Sequence, residues 1–266
     1  MKKLGNALLP FLFGLVILGA WEALVRSADI PEYILPGPLA VLRALQANFA
    51  QLMGGLAVTI QVTLIALVLA ALTGAAFAFV LSQSKLAEKM LFPYAVILQV
   101  TPIVTVAPFV IIWVSNIFVV LLILAWMAAV FPIISNTLFG LKSVDTNLRD
   151  LFRLYGATKL QTSMRLLTPS TLPHFLSGLR IAGGLALIGT VVAEMVAGTS
   201  GAQSGLASRL LEASYRLELA KALACFVLLG LTGLVIYSAL DWLSGRLLRH
   251  WHESAATDDG REKPQT

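Results

Sequence analysis

The chain has 266 residues, of which 58% are hydrophobic and only 12% charged, with a mean hydropathy of +0.85. Water-soluble domains hold about 45–50% apolar and about 25% charged residues, so a soluble globular domain is excluded. The net charge of +5 comes from Lys and Arg placed in short segments between apolar runs, not from one basic face, which argues against nucleic acid as a partner. The single cysteine, Cys225, lies within an apolar run. It excludes a disulfide framework or a cysteine-based metal site inside one chain and reads as a small packing residue.

A chain of this length has room for five to seven membrane passages of about 20 residues each. The first apolar run extends from Leu4 to Leu24 behind Lys2 and Lys3. It closes on Trp21-Glu22-Ala23, which is not a small-x-small cleavage site, so it reads as a retained helix rather than a removed signal. Glu22 and Arg26, four apart, are expected to pair at its end. Residues 1–34 therefore form the first passage and its outer connection. Leu35-Pro36-Gly37-Pro38 breaks any preceding helix, and Pro38 suits the first turn of a new one. Leu39, Leu42, Leu45, Phe49 and Leu52 then recur at helical spacing, predicting one amphipathic interfacial helix within residues 35–55.

From residue 56 to 245 the pattern is that of a membrane core of five further passages. The second runs from Leu56 to Leu81 and carries Ala66, Ala70, Gly74, Ala78 and Ser82 on one face, a ladder that lets another helix approach closely. Met90 to Leu141 is too long for one helix and is expected to hold the third and fourth passages, with a turn at Ser115-Asn116. Pro93, Pro102 and Pro108 should bend or step the third. Passages five and six are placed at Phe175–Ala197 and Ala222–Leu243, and residues 246–266 form a polar tail, disordered at its end from Thr257 to Thr266. Lys and Arg concentrate after passages two and four and in the tail. The positive-inside rule then puts both termini in the cytoplasm.

The loop after the fourth passage, about residues 146–169, reads as an elbow. A short helix can end at Gly156, which takes the left-handed cap without steric cost. A second can start at Thr158, with Gln161 three residues on completing a capping box. Pro169 and Pro173 are expected to stop that helix and restart the chain into passage five. Phe152, Leu154 and Tyr155 are expected to stand exposed among Arg149, Arg153 and Lys159, which suits docking into a groove of a protein partner. A loop lying on anionic headgroups would use the same residues.

This loop resembles the signature of permease subunits of bacterial binding-protein-dependent ABC importers: Glu-Ala-Ala, three residues, Gly, nine residues, Ile-x-Leu-Pro. Asp150, Gly156, Leu166 and Pro169 stand in register; Leu151 and Phe152 replace the alanines and Thr168 a leucine. Leu35-Pro36-Gly37-Pro38, Thr101-Pro102, Ala107-Pro108, Phe131-Pro132 with Asn136, Gly178-Leu179-Arg180 and Ala193-Glu194-Met195 are similar to the nitrate, sulfonate and taurine permease family. Within it, the stretch Asp150 to Thr158, the turn Ala197-Gly198-Thr199-Ser200-Gly201 with Ser204-Gly205-Leu206, and the ending Trp251-His252-Glu253-Ser254-Ala255 resemble permeases for pyrimidine-type heterocycles, such as hydroxymethylpyrimidine, or riboflavin.

The resemblance implies an all-α integral membrane protein of the type I ABC importer permease fold, with about six transmembrane helices and a cytoplasmic coupling loop, in the bacterial inner membrane. It implies a pair of ABC ATPase subunits docking on Asp150, Leu151, Phe152, Arg153, Leu154, Tyr155, Gly156, Ala157, Thr158 and Pro169. It implies also a second permease subunit, expected to be another copy, and a periplasmic or lipid-anchored solute-binding protein. No cofactor, metal or catalytic residue is expected in this chain. Gly140-Leu141-Lys142-Ser143 lacks the Gly-Lys pair of a phosphate loop, so ATP and Mg²⁺ belong on the partner ATPase. His250-Trp251-His252-Glu253 reads as an interfacial helix end rather than a metal site.

Glu194 stands deep in the fifth passage, on a four-residue ladder with Gly178, Ala182, Ala186 and Thr190. An intramembrane carboxylate is a functional hypothesis by default; a pathway or gate role and a packing role both remain open. The competing class is an ion-coupled secondary transporter, which would carry several intramembrane ionisable residues and inverted repeats. Nitrate, sulfonate or taurine remain the alternative solutes.

Overall fold

Among the described residues there are eleven α-helices and one π-helical turn, and no strand. The computed structural model describes residues 2–198 and 204–248, with side chains from residue 12 onward. The turn residues 199–201 and the tail segment 250–255 singled out in the sequence lie outside the described residues. The helices are α1 (Lys2–Ser27), α2 (Pro38–Ala47), α3 (Phe49–Ser82), α4 (Lys85–Val100), α5 (Ile103–Trp113) and α6 (Ile117–Lys142). There follow α7 (Thr146–Leu154), α8 (Lys159–Thr162), a π turn (Ser163–Leu167), α9 (Thr168–Ala197), α10 (Leu206–Tyr215) and α11 (Leu219–Leu248).

By length and composition, α3, α6, the run from Lys159 to Ala197 and α11 can each cross a membrane, and α4 with α5 makes a bent pair that would be a fifth passage. The first apolar run read from the sequence lies in α1. Many large side chains on these helices, among them Val68, Leu72, Ile112 and Trp113, face outward, as they should where the surroundings are hydrocarbon. The third passage turns through 98° at Thr101-Pro102. Pro93 and Pro108 stay inside α4 and α5. The turn at 115–116 is closed by Asn116, whose side chain accepts the Phe118 and Val119 amides and so starts α6.

The chain forms two compact units. In the larger, Val62–Thr190 with the residues from Gly233, α6 is the central helix. Ala70, Ala78, Val130, Ile133, Leu138, Ala182 and Ala186 form its core. Glycine is required where backbones meet: a Cβ on Gly74 would fall 3.0 Å from Ile133, and one on Gly178 2.9 Å from the Pro132 carbonyl. The small-residue ladder of the second passage therefore seats α3 against α6, packing that replaces the hydrophobic effect inside lipid.

In the smaller unit, residues up to Gln61 with Val191–Thr232, the short helices α2 and α10 bury Leu206 and Ala207 against Leu52, Ala224, Cys225 and Leu229, with Val41 and Leu45 packed alongside. The amphipathic helix expected within 35–55 ends at Ala47. Asn48 breaks it by donating both its backbone amide and its side-chain amide to the Ala44 carbonyl, the competition with the helical ladder that Asn sets up. Phe49 and Leu52 consequently belong to α3. The expected stop at Pro169 and Pro173 does not occur. The π turn just before Pro169 widens the helix, with the Thr168 amide reaching back to the Ser163 carbonyl, and both prolines ride within the start of α9. A local π adjustment is how a helix absorbs a missing donor.

Candidate functional site

The elbow is built from three caps. Asp145 starts α7 by accepting the Asn147 amide at 2.9 Å. At the other end Gly156 takes φ +69°, and the Gly156 and Ala157 amides return to the Arg153 and Phe152 carbonyls at 3.1 and 3.0 Å. This pair of bonds is the Schellman ending of a helix, which needs a residue free to adopt the left-handed region. Thr158 then opens α8: its hydroxyl accepts the Gln161 amide at 3.2 Å, and its amide donates to Gln161 Oε1 at 2.8 Å. That reciprocal capping box fixes the second arm two residues after the first ends. Arg149 ties the elbow to the bundle by donating to the Leu141 carbonyl near the end of α6.

The tip of the elbow is apolar and bare. Leu154 is 84% and Tyr155 83% exposed, with Leu151, Leu160 and Met164 also exposed nearby in sequence. Asp150, Arg153 and Lys159 are exposed around them. Phe152, expected to stand out with Leu154 and Tyr155, is instead half-buried, as are Ala157 and Pro169. The reason is the period of α7: Phe152 follows Arg149 by three residues and shares the face held against the bundle, whereas Leu151, Leu154 and Tyr155 lie on the opposite face. Burying a large apolar side chain is favourable by about 1.5–3 kcal/mol relative to leaving it in water, a gain that Leu154 and Tyr155 leave unrealised at the tip.

Glu194 occupies a second polar centre, in the smaller unit, and is fully buried. Its Oε1 accepts the Thr59 hydroxyl at 2.8 Å and its Oε2 the Ala207 amide at 2.9 Å. Thr59 Oγ1 accepts the Leu206 amide at 2.8 Å, and Ser208 Oγ donates to the Glu194 carbonyl at 2.9 Å. Glu194 thus caps the N-terminus of α10 from the last turn of α9, its carboxyl oxygen accepting one of the orphan amides of that helix. Neither α10 nor the partner Thr59 was found from the sequence. The spacing of Leu206, Leu210 and Ala213 among Arg209, Glu212 and Arg216 was the signal available for α10.

Residues 70–249 match the family of the binding-protein-dependent transport system inner membrane component, and the chain belongs to it. It is 32% identical over 249 residues to the formylaminopyrimidine transport permease protein ThiX of Halalkalibacterium halodurans, covering 93% of this chain and 98% of that one. It is also 26% identical to the putative aliphatic sulfonates transport permease protein SsuC of Bacillus subtilis, over 95% and 92% of the two chains. The nitrate import permease protein NrtB of Synechococcus elongatus shares 29% over 73% of each. The protein is therefore a multi-pass ABC importer permease of the type I fold.

Proposed function

We propose that two copies of this chain form the translocation pathway of an ATP-driven importer in a bacterial inner membrane, with the elbow and both termini in the cytoplasm. A pair of ABC ATPases, which hold the ATP and Mg²⁺ and carry out hydrolysis, docks on the elbow. A solute-binding protein delivers the cargo on the opposite side. The observation that carries this reading is the tip itself, with Leu154 and Tyr155 almost fully exposed on a scaffold fixed at both ends by caps. Because the chain runs as helix from Lys159 to Ala197 without a stop, a push on the elbow is passed directly into a membrane-crossing helix, as rigid-body switching requires.

The solute under this proposal is an uncharged pyrimidine-type heterocycle, supported by the relative assigned to formylaminopyrimidine transport. Glu194 is proposed to hold the outer end of the pathway through its joint with α10.

The test is co-purification of the chain with the ATPase encoded beside it. Wild type should retain the ATPase, while Tyr155→Asp and Gly156→Pro should lose it or its solute-stimulated hydrolysis. Equal capture by all three would sink the docking role. Unchanged uptake by Glu194→Gln would remove the gate.

A further inference from the structure

In the larger unit, α3, α6 and the start of α9 line an open pocket of about 330 Å³ whose wall includes Ala75, Phe79, Thr137, Thr168, Thr171 and Phe175. Among the described residues, no charged side chain lines it. Thr137 and Thr171 are each only 5% exposed, and neither hydroxyl has a hydrogen-bond partner. This sets them apart from Thr73, Thr101, Thr190 and Thr232, whose hydroxyls all bond the carbonyl four residues back in their own helices. That intrahelical bond is the usual way a threonine is satisfied inside a membrane helix, and a buried hydroxyl without one is costly. Two such donors in the wall of one apolar cavity are groups kept for something that enters it.

The chemistry of the wall limits what that is. Binding pockets for small molecules are mostly apolar with a few placed polar groups, in cavities of about 300–1,000 Å³. Without a positive side chain, nitrate or a sulfonate would be stripped of water and left unpaired, which is prohibitive. Hydroxyl donors beside phenylalanine rings suit a flat neutral ring that carries acceptor atoms. We propose that this cavity binds a planar, uncharged nitrogen heterocycle, with the Thr137 and Thr171 hydroxyls donating to its ring nitrogen or carbonyl oxygen and Phe79 and Phe175 covering the ring. Thr168, at the end of the elbow segment, forms part of its wall. The identity of the ligand rests on the transport reading above; the existence of the site does not.

The experiment uses the permease–ATPase complex in nanodiscs, with 4-amino-5-hydroxymethyl-2-methylpyrimidine as probe and taurine and nitrate as competitors. Wild type should bind the probe saturably, without competition from either anion. Thr137→Val and Thr171→Val should each weaken binding about 3- to 10-fold, the worth of one hydrogen bond. Ala75→Leu, which fills the cavity, should abolish it. All three should keep the ATPase, and the valine variants should melt no lower than wild type, since the lost hydroxyls had no partner. Absent saturable binding, wild-type affinity in the variants, or lower melting of the valine variants each overturns the site. Uptake separates the two readings. Binding as expected, with uptake of a different solute only, refutes the pyrimidine assignment and keeps the cavity. Pyrimidine uptake at the wild-type rate by all three variants refutes the cavity and keeps the function.

Discussion

Gly205→Ala should unfold the smaller unit far more readily than its chemistry suggests. Gly205 is the N-cap of α10, and a Cβ there would overlap the carboxyl group of Glu194. The carboxylate cannot swing aside without releasing the Thr59 hydroxyl and the Ala207 amide, which hold it at 2.8 and 2.9 Å. A buried donor left without its partner costs about 1–3 kcal/mol, so releasing these two costs about 2–6 kcal/mol. For a chain of this size that lowers the melting temperature on the order of 10 °C. The readout is built in: Cys225 is the sole cysteine, is fully buried, and packs in the cluster that holds Leu206 and Ala207. A maleimide dye will report its exposure as the permease is heated in detergent. Gly54→Ala is the control, because nothing lies near its Cβ, and in a helix it should stabilise by about 0.5–1 kcal/mol. In a Glu194→Ala background the clash is gone, and Gly205→Ala should then cost less than about 0.5 kcal/mol. If the two substitutions add, or Gly205→Ala melts with the control, the joint does not depend on this contact.

Three further outcomes use the same melting assay with ATPase capture. Leu217 holds φ +59° at the Schellman ending of α10 with its side chain mostly in solvent, so Leu217→Gly should stabilise by about 0.5–1 kcal/mol; destabilisation would mean its contacts outweigh the strain. Gly156→Ala places a Cβ in the left-handed region in open space and should cost about 1 kcal/mol of elbow order, seen as weaker ATPase capture with near-normal melting. Leu154→Asp, at an exposed tip, should shift melting by less than about 0.5 kcal/mol equivalent while abolishing capture; a large melting loss would mean the tip packs within the chain.

The elbow was legible in the sequence because its determinants are local. Gly156 and the pair Thr158 and Gln161 act within a few residues of each other, and both caps are present as read. The small-residue ladder from Ala66 to Ala78 was legible for a similar reason, since spacing alone puts it on one face. Phe152 was misplaced because local pattern gives exposure only when the direction of the bundle is known, and Arg149 reaching Leu141 sets that direction. Pro169 and Pro173 were read as stops because a π turn leaves no mark on the sequence. Thr59 and Glu194 meet across a separation of 135 residues; no periodicity links them, and only tertiary packing shows that the buried carboxylate caps a helix.

The two joints of the smaller unit follow one design. Glu22 on α1 accepts the Leu39 amide at 3.1 Å, and Glu194 on α9 accepts the Ala207 amide at 2.9 Å. Each amide belongs to the second residue of a ten-residue helix whose N-cap is a glycine, Gly37 or Gly205, and at both a Cβ would collide with the carboxylate. Helices this short are marginal on their own, so a carboxylate from the preceding long helix completes them by filling the orphan donors. The joints differ in their surroundings. Glu22 is reached by water and shares its carboxylate with Arg26 at 2.7 Å, whereas Glu194 is sealed. Salt screens exposed charges and spares buried ones. Raising ionic strength should therefore shrink the melting difference between wild type and Glu22→Ala and leave that of Glu194→Ala unchanged. Equal salt sensitivity at both positions would show that water reaches Glu194 too, as an open joint would allow and a closed cap would not.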